Sequence, residues 1–119
     1  MKKILLVSGH EYIQSLIKKE IEKDGYQVLT ASNRNEALSQ LTSTFIKPDL
    51  VILDLRVHDK NESETLGHVI KHKFKLPVII FPARSIFKRD ALSTEADAGK
   101  IKSSDISALR KKIHELTSP

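Results

Sequence analysis

The stretch KILLVSGHEYIQ, Lys3 to Gln14, changes its hydrophobic period part-way along. Ile4-Leu5-Leu6-Val7 is a continuous apolar run, the pattern of a strand buried on both faces. From Glu11 onward the apolar positions are Ile13, Leu16, Ile17 and Ile21, which line one stripe of a helix. Gly25, after Asp24, is a natural stop for that helix. Between strand and helix stands Ser8-Gly9-His10, at the carboxyl end of the strand. In open α/β sheets that is where ligands bind.

The same alternation continues outward. Tyr26 to Ala31 reads as a second strand. Asn33 precedes Glu36 by three residues, an N-cap with a partial capping box. Ala37, Leu38, Leu41 and Phe45 give the second helix its inward face, and Pro48 ends that unit. Asp49 to Asp54 is a third strand, with the most apolar interior in the chain, so it belongs at the sheet centre. A polar loop runs from Arg56 to about Ser63, and Leu66, Val69 and Ile70 mark a third helix. Pro77 opens a fourth strand, Val78 to Phe81. A fourth helix spans roughly Ser85 to Thr94, and Ala98 to Ile101 is a weak fifth strand. A fifth helix begins near Ser104 and buries Ile106, Leu109, Ile113 and Leu116. Repeated strand-then-helix units imply a parallel sheet with helices on both faces. The expectation is one α/β domain over residues 1–119, doubly wound and flavodoxin-like (βα)5, with strand order 2-1-3-4-5. Its ligand site then lies at the ends of the first and third strands, where Ser8-Gly9-His10 and Asp54 stand.

Composition narrows the function classes. The chain has 119 residues, 39% hydrophobic and 29% charged, within the range of ordinary globular domains. It has no cysteine, which excludes disulfides and thiolate zinc sites. No apolar run approaches the roughly 20 residues that span a bilayer, and the run after Met1-Lys2-Lys3 is too short for a signal peptide. A cytoplasmic protein without membrane contact is expected. The net charge of +5 attracts acidic partners at long range, but two Tyr, four Phe and no Trp offer few stacking platforms. Charge without a motif does not make a nucleic-acid reader, so no direct nucleic-acid contact is expected.

Asp54 is the most informative residue. An acid placed straight after Leu50-Val51-Ile52-Leu53 costs burial energy unless it is used or paired. Lys102, just after the fifth strand, projects over the same edge. An amine beside a carboxylate either ties strands together as an ion pair or holds a phosphoryl group attached to the acid. The residues alone leave both open.

The fragments MKKILLV, EKDGYQVLTASNRNEAL, KPDLVILDLR, LPVII and ADAGKIK stand in the order and spacing of a known family. Across essentially the whole chain the sequence resembles the receiver domain of two-component response regulators. The resemblance implies that Asp54 is the phosphoacceptor position, served by a histidine kinase. It implies that Lys102 is the lysine of the pocket and that Ala83 is the small residue leaving room for phosphoryl oxygens. It also implies no enzyme beyond self-phosphorylation and slow autodephosphorylation at Asp54. Its partners would be a histidine kinase, an effector domain or another receiver. A homodimer through the fourth helix, fifth strand and fifth helix is a further implication, with Lys88, Arg89, Asp90, Asp97, Lys100 and Arg110 supplying charges of both signs.

Several positions depart from the family pattern. The acid pair that helps to bind Mg²⁺ is replaced by Ser8 and Gly9, with His10 next. The Ser/Thr ending the fourth strand is Pro82, and the aromatic switch position is Gly99. The Pro after the lysine is Ser103, and the loop after Asp54 reads Val57-His58-Asp59. Mg²⁺ wants hard oxygen ligands, usually one or two carboxylates. Asp54 and the Arg56 carbonyl offer two oxygens, and the remaining acids are missing. The expectation is therefore an atypical receiver with impaired Mg²⁺ binding and phosphorylation. No cofactor is expected, Mg²⁺ entering only if the site is functional. A closed Asp54–Lys102 ion pair is expected in the resting state. The alternative is a working phosphoacceptor at Asp54.

Two other features each have a sharper and a plainer reading. His10 or His58 could replace a missing ligand for zinc or copper, whereas loop histidines are mostly just exposed. Glu64, His68 and His72 fall at i, i+4, i+8 on the third helix, and two histidines at that spacing can share a metal. The plainer reading is an exposed helix face among Lys71, Lys73 and Lys75. A flavin or nucleotide loop at Ser8-Gly9-His10 is disfavoured, because dinucleotide loops carry three glycines at set spacing.

Overall fold

A computed structural model describes residues 2–43, 45–54, 60–81 and 103–118, with the side chains of residues 60–65 and 103–105 outside that description. Strands β1 (Lys3–Val7), β2 (Gln27–Ala31), β3 (Leu50–Asp54) and β4 (Val78–Phe81) form a parallel sheet ordered β2-β1-β3-β4. Helices α1 (Glu11–Glu22), α2 (Arg34–Thr42) and α3 (Lys60–Lys73) fill the connections, and a C-terminal helix covers Ser103–Thr117. The expected order is thus found across four strands. The expected fifth strand and the expected helix over residues 85–94 lie outside the described residues.

Alternation along the central strands builds two cores. Ile4 and Leu6 of β1, with Leu50 and Ile52 of β3, pack against Ile13, Ile17 and Ile21 of α1 and Ile106, Leu109 and Ile113 of the C-terminal helix. Leu5, Val7, Val51 and Leu53 point the other way, onto Ala37 and Leu41 of α2 and Leu66 and Ile70 of α3. Every residue of β3 is buried, as expected for the central strand of a two-faced sheet. Asp49 stands just before β3. Its carboxylate accepts the Lys3 N–H at 2.8 Å and its own N–H donates to the Lys3 carbonyl at 2.7 Å, which sets the β1–β3 register at its lower end.

Caps account for most helix ends. The Asn33 side chain accepts the Glu36 N–H at 2.9 Å. The Glu36 carboxylate reaches back to the Ser32 N–H at 2.7 Å, one residue further than a standard capping box. Gly25, at φ +91°, takes the left-handed conformation that turns the chain from α1 towards β2. Lys75, at φ +57°, plays the same part between α3 and β4 at the strain a side chain brings.

Four sequence expectations need correction. Phe45 does not belong to the face of α2. The helix ends at Thr42, Ser43 is extended with its hydroxyl accepting the Phe45 N–H at 3.2 Å, and Phe45 is 90% exposed. A serine hydroxyl competing for local backbone groups is a common way to leave a helix. Leu116 is 40% exposed rather than buried, since Thr117 takes the inward contact, a 3.1 Å hydrogen bond with the Tyr26 hydroxyl. Tyr26 itself precedes β2 and packs on the α1 side of the sheet. Finally, α3 begins at Lys60, so residues read as a polar loop up to Ser63 form its first turn. Glu62 and Glu64 are polar yet suited to a helix start, where the dipole favours acids.

Candidate functional site

The parallel register pairs Val7 with Leu53, so the next residue of each strand, Ser8 and Asp54, meets at the carboxyl edge of the sheet. Alternation puts both on the α1 side. Each is only 1% exposed, and they are the buried polar residues among those described. The Ser8 hydroxyl donates to Asp54 Oδ2 at 2.8 Å. A buried carboxylate thus receives a charge-assisted bond from the end of the neighbouring strand. The Ser8 oxygen in turn accepts the His10 N–H at 3.3 Å.

The rest of the Ser8-Gly9-His10 segment is shaped by the start of α1. His10 is the N-cap, its Nδ1 accepting the Ile13 N–H at 3.4 Å. Gln14 Nε2 donates to the carbonyls of Ser8, at 3.0 Å, and Ala31, at 3.4 Å, tying the ends of β1 and β2 together. A Cβ built on Gly9 comes 3.2 Å from the Ser32 carbonyl oxygen, so any side chain there requires that backbone to give by a few tenths of an ångström. Neither the Ser8–Asp54 bond nor the Gln14 bridge is visible in sequence spacing. The available signal is a polar residue directly following each of two apolar runs, Ile4–Val7 and Leu50–Leu53.

The other expected pocket residues fall differently. Arg56, Pro82, Ala83, Gly99 and Lys102 lie outside the described residues, as does His58, and with Lys102 the expected ion pair to Asp54. Ser103 is the first residue of the C-terminal helix. Among the described residues, no group of three or more His, Asp or Glu side chains gathers where it could hold a metal ion.

Arg110, expected among charges available to a second protomer, is engaged within the chain. Its Nε and Nη2 donate to the two Asp24 carboxylate oxygens at 2.8 and 2.6 Å, a bidentate pair joining the C-terminal helix to the end of α1. Its Nη1 lies 3.9 Å from Glu20. Hydrogen bonding from Arg110 holds the Asp24 carboxyl below the ordinary carboxylate range, and Asp24 likewise raises Arg110. His68 and His72 of α3 are both exposed, and their ring centroids stand 4.2 Å apart. No described helix is long and apolar enough to cross a membrane.

Comparison with known proteins agrees with this architecture. The family described as response regulator receiver domain matches residues 4–114. The alkaline phosphatase synthesis transcriptional regulatory protein PhoP of Bacillus subtilis is 34% identical over 83 residues, 70% of this chain and 34% of that protein. The transcriptional regulatory protein CpxR of Escherichia coli is 34% identical over 84 residues, 71% of this chain and 34% of its own. The matched stretch is thus about a third of the length of these relatives. Among solved structures, the response regulator protein TrrA of Thermotoga maritima in complex with Mg²⁺–BeF superposes with TM-score 0.68 at 28% identity, covering 98% of this chain and 99% of that one. TrrA in complex with the histidine kinase ThkA gives TM-score 0.69 at 30% identity, covering 99% and 100%. With its parallel β2-β1-β3-β4 sheet, its buried acid at the end of β3 and a family match over nearly its whole length, the chain belongs to the response regulator receiver domains of two-component signalling.

Proposed function

We propose that this domain is an atypical receiver in which Mg²⁺ binding and phosphorylation at Asp54 are impaired, and which works through contact with other proteins. The observation that carries the reading is the 2.8 Å hydrogen bond from the Ser8 hydroxyl to the buried Asp54 carboxylate. At the end of β1 this chain brings a neutral hydroxyl and a glycine to the acid, with no second carboxylate. A magnesium ion needs negative oxygen donors in near-octahedral array. From β1 the donor set supplies no charge, so it does not fit the ion. Phosphoryl transfer depends on positioning and charge stabilisation more than on covalent chemistry. Removing the counter-ion therefore removes most of what speeds the reaction. Ser8 also orients one carboxylate oxygen and draws on its electron density, which makes Asp54 a poorer nucleophile.

The TrrA–ThkA complex suggests a histidine kinase as one class of partner, alongside an effector domain or another receiver. Docking to any of these needs only surface, so it survives the loss of chemistry.

The test adds Mg²⁺ with beryllofluoride, and separately Mg²⁺ with acetyl phosphate, to the uniformly ¹⁵N-labelled chain. The expected result is no amide shift around Ser8 and Asp54 and no mass gain of a phosphoryl group. Shifts at the ends of β1 and β3, or a phosphoryl adduct on Asp54, would overturn the proposal in favour of a working phosphoacceptor.

A further inference from the structure

We infer that His68 and His72 form a binding site for one borderline divalent transition-metal ion, such as Zn²⁺, Cu²⁺ or Ni²⁺, on the outer face of α3. The pair lies on an element that contributes nothing to the Ser8–Asp54 contact, so the inference stands apart from the state of Asp54.

The spacing i, i+4 stacks the two side chains on one helix face. The structure adds that the rings meet. Their centroids are 4.2 Å apart with planes tilted by 38°. Both side chains are exposed, so neither ring is held there by burial, and neither competes with the core for its position. A helix backbone fixes the two Cβ positions, and the rings already share one side of it. With the backbone fixed, an ion that bridges them has only the side-chain torsions to order.

Imidazole nitrogen suits zinc, copper and nickel and is a poor donor for Mg²⁺. Two protein nitrogens leave the remaining coordination to water. Both side chains face solvent, which supplies those waters. The lysines act against the ion. Lys71, Lys73 and Lys75 are exposed around the pair and repel a dication. Salt screens that repulsion, so added salt should leave affinity unchanged or improve it. Loose binding to surface carboxylates responds in the opposite sense, because there salt screens an attraction.

The experiment titrates the full chain with zinc chloride in metal-free buffer. Calorimetry reads affinity and stoichiometry, and long-range ¹H–¹⁵N spectra read the ring nitrogens of the five histidines. The expected result is one ion per chain, with the His68 and His72 resonances moving together and affinity not falling as salt is raised. Losing an outer-shell partner of a metal already costs about 10–100-fold in affinity, and losing a ligand costs no less. His68→Ala and His72→Ala should therefore each weaken binding at least about tenfold. Both sites are exposed and alanine favours helix, so far-ultraviolet circular dichroism should be unchanged. The inference is overturned if the two resonances stay still through the titration. It is equally overturned if His10, His58 or His114 moves instead, or if both variants bind zinc as the parent does.

Discussion

A hydroxyl that donates to a buried carboxylate contributes more than one that donates to a neutral acceptor, about 1.5–3 kcal/mol against roughly 1. Ser8 makes such a bond at 1% exposure, with Asp54 equally buried. Ser8→Ala removes the donor and leaves the acid with one bond fewer in a place water reaches poorly. We expect a loss of about 1.5–3 kcal/mol in unfolding free energy, read from urea melts as a lower midpoint with an unchanged slope. An unchanged midpoint would mean that the bond contributes nothing to the fold. On the proposed reading the effect on Asp54 reactivity runs the other way, since losing the Ser8 bond returns electron density to the carboxylate. Ser8→Ala should therefore not lower whatever reactivity toward acetyl phosphate the parent has, as read by mass.

Between elements, the Asp24–Arg110 pair fastens the C-terminal helix to α1. In the folded protein the Asp24 pKa is depressed below its unfolded value, chiefly by the Arg110 hydrogen bond. The stability it contributes is present in full above that unfolded value and is lost as pH falls through the lower folded one. Arg110→Met should therefore lower stability slightly at neutral pH, where an exposed pair is worth little, and the difference should close as pH falls below about 4, flattening the acid limb of the stability–pH curve. Urea melts of both proteins at several acid pH values would show it, and parallel acid limbs would refute the coupling. The same level shows what sequence can disclose about elements. Helix ends made by one side chain or one glycine, as at Asn33 and Gly25, can be read from spacing alone. The end of α2 cannot, because Phe45 continues the apolar period while Ser43 has already diverted the backbone. Leu116 also fits its helix's period. Whether anything lies beneath that last turn depends on Tyr26, 90 residues away in sequence.

At the scale of the molecule, the sheet separates two cores that share only its strands. Ile17 belongs to one and Ile70 to the other, and both are fully buried. Ile→Val at each should cost about 0.5–1.5 kcal/mol. Lying in separate buried clusters on opposite sides of the sheet, the two should add to within about 0.5 kcal/mol. Urea melts of the singles and the double measure this, and a larger discrepancy would mean that strain crosses the sheet. This two-faced design is the most legible feature of the sequence, because strands buried on both sides must be apolar throughout. The candidate site is legible only in outline. The positions of Ser8 and Asp54 at strand ends follow from the pattern, while their bond joins residues 46 apart. It depends on the β1–β3 register, to which Asp49 and the Lys3 backbone contribute from the far edge.

The close approach of Gly9 to the Ser32 carbonyl, 3.2 Å from where a Cβ would stand, bears on the history open to this chain. An acid at position 9 alone must displace that backbone. An acid at position 8 alone sets a second buried carboxylate against Asp54, with too few partners to capture an ion that would relieve it. Each first step towards an acid pair therefore lowers stability, and only the two together, with magnesium present, can recover the loss. Ser8→Asp and Gly9→Asp should each melt below the parent, and the double variant alone should gain in melting temperature when Mg²⁺ is added. On such a landscape the Ser8–Gly9 pair and an acid pair are separated by a less stable intermediate in either direction, so single substitutions do not readily connect them.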